Sequence, residues 1–332
     1  MKKHVLVSAI LAALAASAHA QVSIYGALDI GLIKSTDATL KLGRGDNNKL
    51  GFRGTEDMGG GMAASFRLEQ RFEPDTGQLE NNGNRALFQG RSWVGLSGAF
   101  GTLRLGRDLT PLQDQMWDYD PFQIASVGTL YAATLGNYSS DPYRIGTRNG
   151  ASAAGNRFAN GIYYSSPQMR GFELVAAVAS KEAGGTAPGD LPVNPLSLVL
   201  NYRAGALQTS LGYERNARAE HVWAAAGAYQ LGIARLTASR SQHNSASSAE
   251  QNWSVGAELA VSANGTVRAG YGHTAPERGA SARQASLGYW HQLSKRSFIY
   301  TDLSTMRDRD GVYALSQGQT SRSLDLGLRH TF

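Results

Sequence analysis

The chain has 332 residues, a formal charge of +6, 42% hydrophobic residues, 39 glycines and no cysteine. This composition excludes a disulfide framework, a thiolate metal site and a cysteine nucleophile. The interspersed charges form no basic block of the kind that binds nucleic acid or an acidic membrane surface. Lys2 and Lys3, the apolar run 5–16 and Ala18-His19-Ala20 predict a secretory signal peptide over residues 1–20, cleaved before Gln21. That run is too short to span a membrane, and no later apolar stretch approaches the roughly 20 residues such a helix needs.

From residue 21 onward the pattern is one of short alternating segments. Segment 22–32 places its long apolar residues on one face and Ser23, Asp29 and glycine on the other, as a two-sided strand does. A second strand begins near Lys49, with Leu50 and Phe52 opposite Lys49 and Arg53. The glycine-rich run 54–61 reverses the chain into 62–72, where Met62, Ala64, Phe66 and Leu68 oppose Ser65, Arg67, Glu69 and Arg71. After a polar loop, segment 85–96 is the fourth strand, and 101–107 the fifth. Residues 109–155 then interrupt the pattern. A connection this long without periodicity is functional or disordered, and Trp117, Tyr119, Phe122, Tyr131, Tyr138 and Tyr143 argue for a segment packed against a wall. Eleven further strands are predicted at 157–165, 172–180, 196–202, 207–215, 222–231, 233–239, 253–261, 267–274, 285–293, 297–305 and 323–332. Polar loops are expected at 181–194, 241–251, 275–283 and 307–320.

An even number of strands, joined alternately by long and short connections, fits a sixteen-stranded antiparallel transmembrane β-barrel that forms one domain over residues 21–332. Splitting it would leave strand edges unpaired, which hydrocarbon does not tolerate. A solvent-exposed face of a soluble sheet would also accommodate Arg67, Glu69 and Arg71; the repeated alternation over the whole chain favours the barrel.

Several segments resemble the general porins of the Gram-negative outer membrane, particularly the betaproteobacterial and neisserial-type trimeric porins. The resemblance is carried by residues 22–26 with Asp29, by 50–61, by 93–107 and by the closing 327–332 with its final Phe332. It implies an outer-membrane homotrimer in contact with lipid and lipopolysaccharide, with a third external loop folded inward as a constriction. It also implies passive diffusion of ions and small hydrophilic solutes. The chain departs from the family's Pro-Glu-Phe loop tip, having Asp120-Pro121-Phe122-Gln123, with Asp114 and Asp118 just before it.

A diffusion pore needs charged walls around water and no cofactor. By strand parity Lys49, Arg53, Arg67, Arg71, Arg91 and Arg104 share the lumen face, and Arg107 stands at the root of the long loop. Arg53, Arg91, Arg107, Asp118 and Asp120 are the constriction candidates; Lys49, Arg67, Arg71, Arg104 and Asp114 are further lumen candidates. The bland alternative is that each arginine pairs with a nearby carboxylate in the wall. A common basic sign in a narrow opening predicts a modest anion preference. Tyr25 and Trp93 have lumen parity, whereas Tyr163, Trp223, Trp253 and Tyr289 are candidates for interfacial rings or subunit packing. A solute-specific channel is the alternative function. A barrel hydrolase is disfavoured because His221, His243, His273, His291 and His330 are scattered, with no serine and acid beside any of them. Asp302, Asp308 and Asp310 lack the spacing of a calcium loop, and 59–61 lacks the lysine of a phosphate loop.

Overall fold

The structure is a computed structural model that describes residues 21–36, 38–80, 86–123, 127–136, 138–140, 155–180, 193–246, 248–278, 281–308 and 318–332. The proposed signal segment, Tyr143 and Asp310 lie outside the described residues. The strands are β1 Gln21–Ser35, β2 Lys41–Gly43, β3 Lys49–Gly59, β4 Met62–Arg71, β5 Arg91–Gly98, β6 Gly101–Leu109, β7 Arg157–Ser165, β8 Phe172–Ala179 and β9 Leu196–Ala204. They continue as β10 Leu207–Arg215, β11 His221–Leu231, β12 Ala234–Asn244, β13 Ala249–Ala260, β14 Gly265–Pro276, β15 Ala282–Ser294, β16 Ser297–Asp308 and β17 Gln319–Thr331.

Each strand pairs antiparallel with its neighbours, and β1 closes the ring. Ala27 to Ser35 pair with Thr331 back to Ser323 on one edge, and Gln21 to Ala27 pair with Thr55 back to Lys49 on the other. The short β2 continues the β3 edge, pairing Gly31 with Gly43, so the 17 strands fill sixteen wall positions. Between β2 and β3 the side chain of Asn48 replaces the missing ladder: its Nδ2 donates to the Asp29 carbonyl at 3.0 Å, and its Oδ1 accepts from the Asp29 N–H.

Burial is inverted relative to a soluble domain. Ile24 is 61% exposed, Leu326 56% and Val94 56%, whereas Arg157, Arg268 and Glu69 are almost completely buried. An apolar exterior around a charged interior is stable in lipid with water inside, which makes this a transmembrane barrel. No helix among the described residues is long and apolar enough to cross a membrane; the strands make the crossing.

Several strands run longer than expected. β12 reaches Asn244 and β13 starts at Ala249, joined by an Asn244–Ala249 pair, so the loop expected at 241–251 shrinks to 245–248. Arg240 and Gln242 are exposed there while Ser241 and His243 are buried, so the ladder outlasts the hydrophobic signal once both faces are polar. The same effect confines the loop expected at 275–283 to 277–281. β5 starts at Arg91 instead of 85, because Phe88 adopts φ +56° and its N–H donates to Gln70 Oε1, which breaks the ladder before it.

The third long connection, after β6, folds into the barrel. It carries helix α1 Pro111–Met116, a 3₁₀ turn Trp117–Tyr119 and helix α2 Tyr131–Leu135. Thr110 caps α1, its hydroxyl accepting from the Gln113 N–H at 3.3 Å, with Pro111 at the first helical position. Leu112, Met116, Tyr119, Leu135 and Tyr138 form a buried cluster with Val199 of β9 and Val222, Ala224, Ala226 and Ala228 of β11. These alternate, mostly small inward residues leave a flat apolar wall on which the loop lies. Inward glycines deepen it: a Cβ on Gly256 would come within 2.5 Å of the Pro121 ring, and one on Gly270 within 2.5 Å of Leu130.

Candidate functional site

The tip of the inward loop is closed by its own aspartate. Asp120 accepts from the N–H groups of Phe122 (2.9 Å) and Leu130 (2.8 Å) and from the Thr129 hydroxyl (2.7 Å). It is 1% exposed. Burial pushes its pKa up, against those hydrogen bonds and the field of Arg268. The Asp120 carboxylate is therefore engaged within the loop and holds it together.

Three side chains of the far wall then hold the tip. Arg268 of β14 donates to Asp302 of β16 at 2.7 Å and to the Pro121 carbonyl at 3.3 Å, with its guanidinium 3.6 Å from the Trp290 ring centroid and 4.9 Å from that of Phe122. Asp325 of β17 accepts from Asp302 N–H (2.8 Å) and Val127 N–H (3.3 Å). Farther back, Arg235 donates to the Asp118 carbonyl at 2.7 Å, and the Tyr119 and Ser210 hydroxyls are 2.7 Å apart.

With the loop held against the β9–β14 side and its tip tied to β16 and β17, a gap remains between it and the wall that runs from β15 through the ring closure to β6. An open cavity of about 450 Å³ occupies this gap. Lys49, Arg71, Arg91 and Arg329 line it from the wall, with Asp29, Asp46 and Glu69 among them, and Asp114 and Asp118 line it from the loop. Arg91 bonds buried Asp108 and reaches Asp114 at 3.6 Å; Arg329 bonds Asp46 and lies 3.8 Å from Asp29; Arg71 is 3.7 Å from Glu69. The wall carboxylates Asp29, Asp46 and Glu69 are buried behind these cations, whereas Asp114 and Asp118 are exposed. Partial burial and then the neighbouring Asp114 raise the pKa of Asp118, opposed by Arg203 and Arg235.

The remaining candidates lie toward the short-turn end. Register pairs Arg53 with Arg67 and Arg67 with Trp93, one inward position beyond Gly51, Glu69 and Arg91, while Arg104 pairs with Gly95 and Tyr163. Arg107 behaves differently. A β-bulge between Gly106 and Asp108 shifts the register, so that Arg107 donates to the Gln89 carbonyl at 2.9 Å while Asp108 turns inward. Tyr163, expected among interfacial rings, faces inward and is fully buried, its hydroxyl bonded to the backbone of Asp108 and Phe158. Trp223 and Tyr289 do lie on the exterior, 54% and 36% exposed.

Arg329, Arg268, Asp302 and Asp325 were missed among the candidates. Alternation carries a signal for Asp325 and Arg329, which stand between the outward Leu324, Leu326 and Leu328, but no local charge cluster marks any of the four. Among the described residues no cluster of three or more histidine, cysteine or acidic side chains is arranged to hold a metal ion. Asp302 is engaged with Arg268.

The family model described as Gram-negative porin matches residues 7–311. Outer membrane porin protein 32 of Delftia acidovorans is 30% identical over the whole of both chains, and major outer membrane protein P.IB of Neisseria meningitidis is 27% identical, also over the whole of both. These relatives do not single out the neisserial branch. Among solved structures, an anion-selective porin from Comamonas acidovorans superposes with a TM-score of 0.79 at 26% identity, covering 95% of this chain and all of that one. The OmpT trimer form of Vibrio cholerae, at 14% identity and a TM-score of 0.68 over 94% of this chain and 99% of that one, shares the fold. A family match of that span, on a barrel that turns its leucines to lipid and its charges to water, shows that the chain belongs to the Gram-negative porins, passive diffusion channels of the outer membrane.

Proposed function

We propose that this porin is a general channel for small hydrophilic solutes with a modest preference for anions, and that its constriction is the gap between the inward loop and the wall from β15 through the ring closure to β6. The observation that carries the reading is the distribution of charge. Within the gap Lys49, Arg71, Arg91 and Arg329 nearly cancel against Asp29, Asp46, Glu69, Asp114 and Asp118, with the exposed acids on the loop and the cations on the wall. Immediately beyond it Arg53, Arg67 and Arg104 add positive charge: Arg67 and Arg104 approach Glu69 and Asp108, which are already shared with Arg71 and Arg91, and among the described residues Arg53 forms no ion pair. A transverse field in the gap orients polar solutes, and the positive surplus beside it raises local anion concentration. In this reading Arg107 and Asp120 shape the loop, and Arg53, Arg91 and Asp118 act on the permeating ion. The anion-selective porin of similar structure supports the sign.

Full-length likeness to porins of Delftia and Neisseria supports placing the chain with the betaproteobacterial and neisserial-type porins, and we propose that it assembles as a homotrimer. Residues 1–20 are proposed to be removed on export, so intact mass of the purified protein should start at Gln21. Selectivity is tested by reversal potential in a planar bilayer under a potassium chloride gradient. The expected sign favours chloride, more strongly at low salt; a potential favouring potassium would overturn the anion reading.

A further inference from the structure

Beyond the gap, on the short-turn side, the inward face of β1 and β3–β7 carries guanidiniums laid over aromatic rings. The Cζ of Arg53 and of Arg67 lie 5.3 and 4.6 Å from the Tyr25 ring centroid, and that of Arg104 lies 5.6 Å from both Trp93 and Tyr163. Two of the rings rest on glycine. A Cβ on Gly51 would overlap the Tyr25 ring, and one on Gly161 would approach the Tyr163 ring to 2.6 Å. Wall, ring and guanidinium are thus layered, which restrains three long side chains that would otherwise be mobile.

The donors of these guanidiniums are only partly used. Arg53 Nε donates to the Ser23 hydroxyl at 3.3 Å, and Arg67 Nε to the Tyr25 hydroxyl at 2.6 Å. Glu69 is 3.7 Å from Arg67 and Asp108 is 3.5 Å from Arg104, while among the described residues Arg53 forms no ion pair. Arg53 is exposed, and Arg67 and Arg104 keep about a quarter of their side-chain surface open at 26% and 24%.

We propose that this strip is a binding site for planar organic anions, specifically aryl carboxylates, on the periplasmic side of the constriction. The proposal rests on the anion-preferring reading and adds a substrate class to it. A carboxylate takes two parallel N–H bonds from a guanidinium fork, and an aryl ring lies against a neighbouring guanidinium or indole face. An alkyl carboxylate of equal charge gains only the first contact, and chloride gains only the field. The strip therefore ranks anions by shape, where a charged slit ranks them by charge and size.

The test is chloride conductance of the full-length channel in planar bilayers, measured with benzoate or acetate added at equal concentration after the reversal potential has been recorded. Benzoate is expected to depress chloride conductance saturably, with a half-effect concentration about fivefold below that of acetate. Trp93→Leu and Arg53→Gln should each move the benzoate value toward the acetate value; the wild-type comparison decides the matter if either variant fails to fold. Equal effects of benzoate and acetate in an anion-preferring channel would overturn the strip and leave the channel reading intact. A reversal potential favouring potassium would overturn that reading and the strip with it.

Discussion

At the scale of single residues, a charge acts on permeation only where water reaches it. Arg53 is exposed and among the described residues contacts only Ser23 and the Tyr25 ring, so Arg53→Gln removes charge with little structural cost and is expected to shift the reversal potential toward potassium. Arg329→Gln should do the same from the opposite edge of the ring closure, while Arg278→Gln, exposed in an external loop, should have little effect because it is screened over about 8 Å. Three bilayer measurements near physiological ionic strength, where that screening length holds, check this order. Asp118 adds a pH dependence. Its pKa is raised by burial and by Asp114, so on acidification it loses its charge before an ordinary aspartate near pH 4. The sign follows: protonation removes negative charge facing the basic wall, so anion preference should grow as pH falls toward that range. Asp118→Asn should remove this early step from the pH profile of the reversal potential.

At the scale of elements, the inward loop is held by two unlike devices. One is apolar, with α1 and the 3₁₀ turn packed on the alanines of β11. The other is the buried Arg268–Asp302 pair, joined by Asp325, which ties the loop tip to β14, β16 and β17. Removing one member of a buried pair strands the other, at about 3–5 kcal/mol. Arg268→Met is therefore expected to lower the thermal unfolding midpoint in detergent, followed by circular dichroism, and to raise conductance as the tip leaves the wall. Adding Asp302→Leu should recover much of the stability, because the stranded charge is gone. Gly256→Val acts in the opposite sense. Its Cβ meets the rigid Pro121 ring at 2.5 Å, which pushes the loop toward the basic wall and should lower single-channel conductance while the barrel stays folded.

At the scale of the whole molecule, the exterior carries a band of exposed apolar side chains, and it runs across the ring closure. Leu28 and Leu32 of β1 adjoin Leu324, Leu326 and Leu328 of β17, each 43–56% exposed. Lipid covers such a surface, and so does a second barrel; the proposed homotrimer would bury part of it. Native mass measured in a mild detergent is expected to give three chains, and a reproducible single chain would count against the assembly. Disrupting one exterior leucine should alter neither the reversal potential nor conductance, because the lumen and the lipid face alternate and do not share side chains.

The residues alone determined the barrel, the strand number and the faces. A period of two is a local property, and hydrocarbon admits no unpaired strand edge, so a chain of sixteen alternating segments has closure as its solution. They also revealed the long segment that could not be a turn, and alternation alone nominated Lys49, Arg53, Arg67, Arg71, Arg91 and Arg104 as lumen candidates, which register then places on neighbouring strands. What they did not determine was which charges meet. Arg329 comes to the gap because β17 closes on β1, nearly three hundred positions away in the chain, and Arg268 meets the loop because the connection after β6 folds inward until Pro121 lies against β14. Nor could spacing show that Asp120 would spend its carboxylate on its own loop while Asp118, two residues earlier, stayed exposed. In a closed ring the partners across the lumen share no local pattern, because strand order, register and the bulge at Arg107 decide their meeting together; only the tertiary structure contains all three.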